Sequence, residues 1–179
     1  MKFLTYQRKE VDLIQHCLEQ KSKHGRNLLV FIGTDSISVG GQCYYFTVVA
    51  FRYGQSGAHF IFSKCKFPVI RLGSGKPDIY MKLWKEAVLT MEVAELLTSE
   101  KVFNKEDIVI EFDYNGLVKT LSTQLVAGAK GWALQLGYNT LTKCGRGHEE
   151  STSVIFGDDI LEIFEQVAVK AANHLCQGV

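Results

Sequence analysis

Two aspartates stand where a carboxylate has work to do. Asp35 and Asp113 each follow a short apolar run, residues 28–32 and 108–112. An ionised carboxylate at the end of a buried strand is costly unless it is paired, hydrogen-bonded or metal-bound. Strand carboxyl ends are also where open α/β sheets bind ligands. Taken singly, each aspartate fits a turn cap equally well. Glu86 is a third acid by helical geometry. At about 100° per residue, Ile79, Leu83, Ala87, Thr90, Ala94 and Leu97 share one face, and Glu86 projects within about 60° of its centre. Glu92 and Glu95 point toward solvent. Pairing with a lysine at the edge of the stripe is the other reading of Glu86. Three inward carboxylates outline a site for Mg²⁺ or Mn²⁺, which take oxygen ligands. Two such ions about 4 Å apart activate water and stabilise the leaving oxygen of a phosphodiester. Asp35, on a central strand, suits the bridging position.

Charge is distributed to match. Residues 52–85 hold seven basic residues and one acid, and residues 86–113 hold eight acids and two lysines. A basic strand and loop beside an acidic cleft would hold a phosphate backbone next to metal ions. A solvated lysine-rich edge strand is the plainer alternative. The formal net charge of +1 excludes a uniformly basic nucleic-acid binder and leaves a locally steered one open.

The elements that must position these residues follow from pattern. The 179 residues, 46% hydrophobic and 22% charged, suit one folded domain. Residues 7–23 have amphipathic helical spacing. Strands are expected at 27–34, 42–52, 59–67, 107–114 and 138–143. Helices are expected from an Asp78 cap to about Thr98, over 117–136, and over 158–176. Three strands in a meander, then alternating helices and strands, predict an α/β domain with a mixed sheet. The five cysteines include no C-x-x-C pair and read as reduced, as in a cytoplasm-like compartment. Residues 1–10 carry no signal-peptide core, and the longest apolar stretch, residues 44–51, is too short to span a membrane.

The block Ile32-Gly33-Thr34-Asp35-Ser36 resembles the YkuK family of ribonuclease H-like proteins. Further resembling blocks are Glu86 with Leu89-Thr90 and Glu92-Val93-Ala94, then Glu111-Phe112-Asp113 with Asn115 and Lys119-Thr120. Gly137 and the closing Ala171-Ala172-Asn173-His174 complete the series. The resemblance implies a single ribonuclease H-like domain over 1–179, with a leading helix in 1–26 and a β-β-β-α-β-α-β-α core in 27–179. It implies a five-stranded mixed sheet in the order 3-2-1-4-5, with helices on both faces. It places the active carboxylates on Asp35, Glu86 and Asp113.

One position departs from the family pattern. Related nucleases usually take a fourth acidic or histidine ligand from the last helix, where this chain offers Asn173 and His174. His174 flanks the buried face of that helix, so it either completes the site or is structural. The expected activity is Mg²⁺- or Mn²⁺-dependent hydrolysis of DNA or RNA. Lys64, Lys66, Arg71 and Lys119 are the cations expected to hold the backbone. The competing expectation is an inactive module on the same fold that binds nucleic acid or protein.

Overall fold

The computed structural model describes residues 1–25, 28–54, 57–112 and 121–142. Seven strands form one mixed sheet: β1 (Phe3–Thr5), β2 (Glu10–Val11), β3 (Leu28–Val39), β4 (Gln42–Tyr53), β5 (Ala58–Pro68), β6 (Ile108–Phe112) and β7 (Asn139–Thr142). Three α-helices accompany them: α1 (Leu13–His24), α2 (Ile79–Ser99) and α3 (Leu121–Gln135). The strand order is β2-β1-β5-β4-β3-β6-β7. The expected 3-2-1-4-5 arrangement is present as its inner part, β5-β4-β3-β6-β7. The expectation of five strands is corrected to seven. The extra two are very short, and residues 1–26 therefore contain a hairpin as well as the leading helix. β1 pairs with β5, from Phe3↔Ser63 to Thr5↔Ile61, a contact distant in sequence that local periodicity does not encode.

β3 and β4 are the spine of the sheet. They pair antiparallel, residue for residue, from Leu28↔Tyr53 to Val39↔Gln42. The connection is Gly40-Gly41, with φ of 59° and 78°. Positive φ at both central residues gives a two-residue turn whose twist matches the strands, and glycine adopts it without a Cβ penalty. Pairing up to that turn keeps Asp35 inside a twelve-residue strand instead of at its end.

Because the pairing has no bulge, side chains alternate strictly between the two faces. Leu28, Val30 and Ile32 face the helices, in a core with Val49, Phe51, Ile61, Ile108 and Ile110. Ala87, Met91, Ala94 and Leu97 of α2, Leu13 and Cys17 of α1, and Leu125, Ala129 and Ala133 of α3 fill that core. Phe31, Val48 and Ala50 are buried on the far face, with Leu29, Phe60, Phe62 and Val109 around them. All three described helices thus lie on one face. The helix expected over 158–176 lies outside the described residues.

The ends of α2 follow local chemistry. The Asp78 side chain accepts the Met81 N–H at 3.1 Å and caps the first turn. The Trp84 and Trp132 rings stack with centroids 5.9 Å apart, tying α2 to α3. On α1, Asp12 caps by accepting the Gln15 N–H at 2.8 Å. The buried Gln20 accepts the Tyr53 hydroxyl at 2.8 Å, and Lys21 donates to the Val102 carbonyl at 2.6 Å.

One contact holding α1 to the sheet is titratable. His16 of α1 and His59 of β5 meet through their Nε2 atoms at 2.9 Å. Burial lowers both imidazoles below their ordinary value of 6.5, and His59 is lowered further by His16 and Lys23. Glu19 opposes the shift at His16, and Lys23 adds to it. The folded protein therefore prefers the neutral pair. As pH falls below 6.5 the unfolded chain takes up protons first, so stability is full above that value. It declines as pH passes down through the lowered folded values. Urea midpoints should drop between about pH 7.5 and about pH 5, and His59→Phe should shrink the drop.

Candidate functional site

Ser36 joins two of the expected acids. Thr34 and Ser36 lie on the helix face of β3. The Thr90 hydroxyl of α2 donates to Thr34 Oγ1 at 2.9 Å, and Thr34 in turn donates to Thr47 at 3.0 Å. Ser36 Oγ donates a short hydrogen bond to Glu86 Oε1. Glu86 is 4% exposed, as its place on the helical stripe predicts, whereas Glu92 and Glu95 face solvent. Lys82, one turn earlier on α2, donates to the Ser36 carbonyl at 3.0 Å. Tyr45 is the cross-strand partner of Ser36. Burial, a hydrogen bond with Cys43 and then the charge of Glu86 push its phenol above the ordinary range.

Asp35 occupies the other face. Its neighbours Thr34 and Ser36 both bond to α2, so alternation directs Asp35 to the side of Phe31 and Val48. Its Oδ1 accepts the Ser36 N–H at 2.7 Å. Ser36 is thus a two-sided donor, through its amide to Asp35 and through its hydroxyl to Glu86. The two carboxylates stand on opposite faces of the sheet, one residue apart along the backbone that links them.

A further acid shares the face of Asp35. Glu111 of β6 is 3% exposed and pairs in register with Gly33. Its strand neighbours Ile108, Ile110 and Phe112 belong to the helix-side core, and Val109 belongs to the far face. Glu111 alternates with Val109. Sequence reading missed it as an inward acid, although the I-V-I-E-F alternation carries the signal. Asp113 and His174 lie outside the described residues. Among the described residues no three His, Cys, Asp or Glu side chains converge as a metal set.

The basic residues separate into two groups. Asp35 pairs with Phe46, which pairs with Lys64, and the next row on that face is Ile37, Tyr44 and Lys66. Lys64 therefore lies two strands from Asp35, about 10 Å at standard strand spacing. Its Nζ sits 4.9 Å from the Tyr44 ring centroid and 5.8 Å from that of Phe46. Burial, Arg8 and Lys66 lower its pKa, which marks a local gathering of cations. Arg71 stands apart on a short arm closed by Leu72 N–H to Lys76 O at 2.8 Å and Asp78 N–H to Ile70 O at 2.8 Å. Its guanidinium donates to the Gly75 carbonyl at 2.8 Å. Lys119 lies outside the described residues. Cys17 and Cys43 are buried free thiols and Cys65 is half-buried.

A family model described as ribonuclease H-like, the YkuK family, matches residues 11–145. That span covers β3 to β7 and all three helices. The chain belongs to the ribonuclease H-like family. No curated protein and no solved structure matched the chain. The ribonuclease H-like assignment accounts for the mixed sheet in which β3 lies between an antiparallel and a parallel neighbour. Membership points to a nuclease or another nucleic-acid-related role in general terms. No helix among the described residues is long and apolar enough to cross a membrane.

The Ser36 link is testable by itself. Ser36→Ala removes the half-buried hydroxyl whose bond the buried Glu86 carboxylate accepts. It should lower unfolding free energy by about 1–3 kcal/mol in urea titrations. Ser38→Ala, on an exposed stretch of the same strand, should change it by less than about 0.5 kcal/mol.

Proposed function

We propose that the protein is a metal-dependent nuclease that hydrolyses phosphodiester bonds in DNA or RNA. The observation that carries this reading is Ser36, which holds Asp35 and Glu86 at once within a ribonuclease H-like sheet. Asp35, Glu86 and Asp113 are the proposed carboxylate ligands, with His174 as a fourth group. Asp35 and Glu86 offer hard oxygen donors, the chemistry that Mg²⁺ and Mn²⁺ take, and Glu111 adds another on the face of Asp35. Held by Asp35, Glu86 and Asp113, such ions would supply an activated water and would neutralise charge on the phosphate.

The protein's own residues orient the substrate. A nucleic-acid backbone laid along the far face meets Lys64 and Lys66 in the rows that contain Asp35 and Ile37. Tyr44 lies beneath the Lys64 ammonium and presents a ring beside the phosphate track. Arg71 extends the cationic path past the end of β5, and Lys119 is a further proposed contact. Ser36 holds the Glu86 carboxylate from β3, and Lys82 of α2 holds the Ser36 carbonyl. In-line attack by water would leave 5′-phosphate and 3′-hydroxyl ends.

A binding module is the second reading, and the placement of Asp35 and Glu86 on opposite faces favours it. Cleavage and binding assays separate the two. With Mn²⁺ present, Asp35→Asn and Glu86→Gln should each lower cleavage about a hundredfold or more while circular dichroism stays unchanged. Wild-type-level cleavage in Asp35→Asn overturns the nuclease. Salt-dependent binding with no cleavage by the wild type transfers the case to the binding module. Lys64→Ala should reduce the slope of log affinity against log salt by about 0.7–0.9.

A further inference from the structure

Two metal-binding side chains on the helix face meet away from the carboxylates, at His16 and His59. The two Nε2 atoms are 2.9 Å apart, and the residues are 43 positions apart in sequence. The ring centroids are 5.0 Å apart with planes inclined at 39°. Phe51 backs both rings, with centroids 5.8 Å from His16 and 5.9 Å from His59. Both rings are half-buried, so one side of the pair opens to solvent.

We propose that His16 and His59 form a binding site for one Zn²⁺ ion, which joins α1 to β5. Two imidazole nitrogens on a tetrahedral zinc, each about 2.0–2.1 Å from it, lie about 3.3 Å apart. The observed nitrogens need to separate by only a few tenths of an ångström, through small rotations of rings that Phe51 already orients. In the neutral pair one ring donates from Nε2. On binding, that ring carries its proton on Nδ1 instead, and both Nε2 lone pairs face the ion. Each imidazole stays neutral, and no oxidant or reductant enters.

The surroundings set the character of the site. Glu19 stands one turn beyond His16 on α1, the i, i+3 position on the same helix face. Its carboxylate acts electrostatically on His16 and offers compensating charge. Lys23 opposes it from the same helix. Asp12, one turn before His16, is committed to capping through Gln15. Among the described residues no third His, Cys, Asp or Glu completes a ligand set. Water therefore fills the remaining positions, and the ion is exchangeable instead of structural. Paired imidazoles select zinc-like ions over Mg²⁺, which prefers oxygen.

The test uses the full chain carrying Asp35→Asn and Glu86→Gln, so that the carboxylate site is weakened and the histidine variants are compared on one background. Calorimetric titration with Zn²⁺ at about pH 7.5 should show one saturable site per chain. Adding His16→Gln or His59→Gln should weaken it at least about tenfold, and adding His24→Gln should leave it unchanged. Equal affinity with and without His59→Gln, or no saturable binding across a millimolar titration, overturns the proposal. Should either glutamine variant fail to fold, imidazole NMR of the wild-type chain decides. Zn²⁺ must then move the ring signals of His16 and His59 together, and movement confined to other histidines overturns the site.

Discussion

The unbroken pairing of β3 with β4 decides the face on which Thr34, Asp35 and Ser36 work. Twelve consecutive pairs run without a bulge into a glycine turn. A slip of one residue would exchange the two faces, placing Ser36 and Thr34 away from α2 and Asp35 against it. The hydroxyl chain from Thr47 through Thr34 to Thr90 is compatible with only one of those registers. Apolar burial above it, from Val30 and Ile32, favours the same register. Local turn chemistry, polar bonding and core packing therefore agree, the condition under which a sheet holds one arrangement.

Much of this frame was legible in the residues because it rests on local signals. Apolar runs and glycine turns marked the three-strand meander, and Asp78 marked the start of α2. The helical period put Glu86 inward and Glu92 outward, and both are found there. The parts not legible depend on contacts distant in sequence. β1 and β2 contain three and two residues, too few for a period; β1 is a strand because β5 accepts it, and β2 because β1 does. The expectation that Asp35 ends its strand came from the change to polar residues after Ile32. Cross-strand bonding to β4 overrides that change. The meeting of His16 with His59 has no sequence signal at all.

The acids illustrate how burial and charge compete. Glu86 keeps a carboxylate inside the protein by accepting from Ser36, whose own carbonyl accepts from Lys82. Glu111 is buried on the opposite face, in a strand whose other inward residues are apolar. Carboxylates of this kind are expensive in any packed sheet, and a fold whose role was only to be stable would favour apolar residues there. Their concentration at the centre of the sheet sets this region apart from the apolar core around Met91 and Phe51.

Ser36 also stitches the two faces of the sheet together. Its amide is bonded to a side chain on one face and its hydroxyl to a side chain on the other. One small residue thereby ties a half-buried carboxylate on the far face to a buried one beneath α2. Its backbone carbonyl, taken by Lys82, adds a third tether to the same residue.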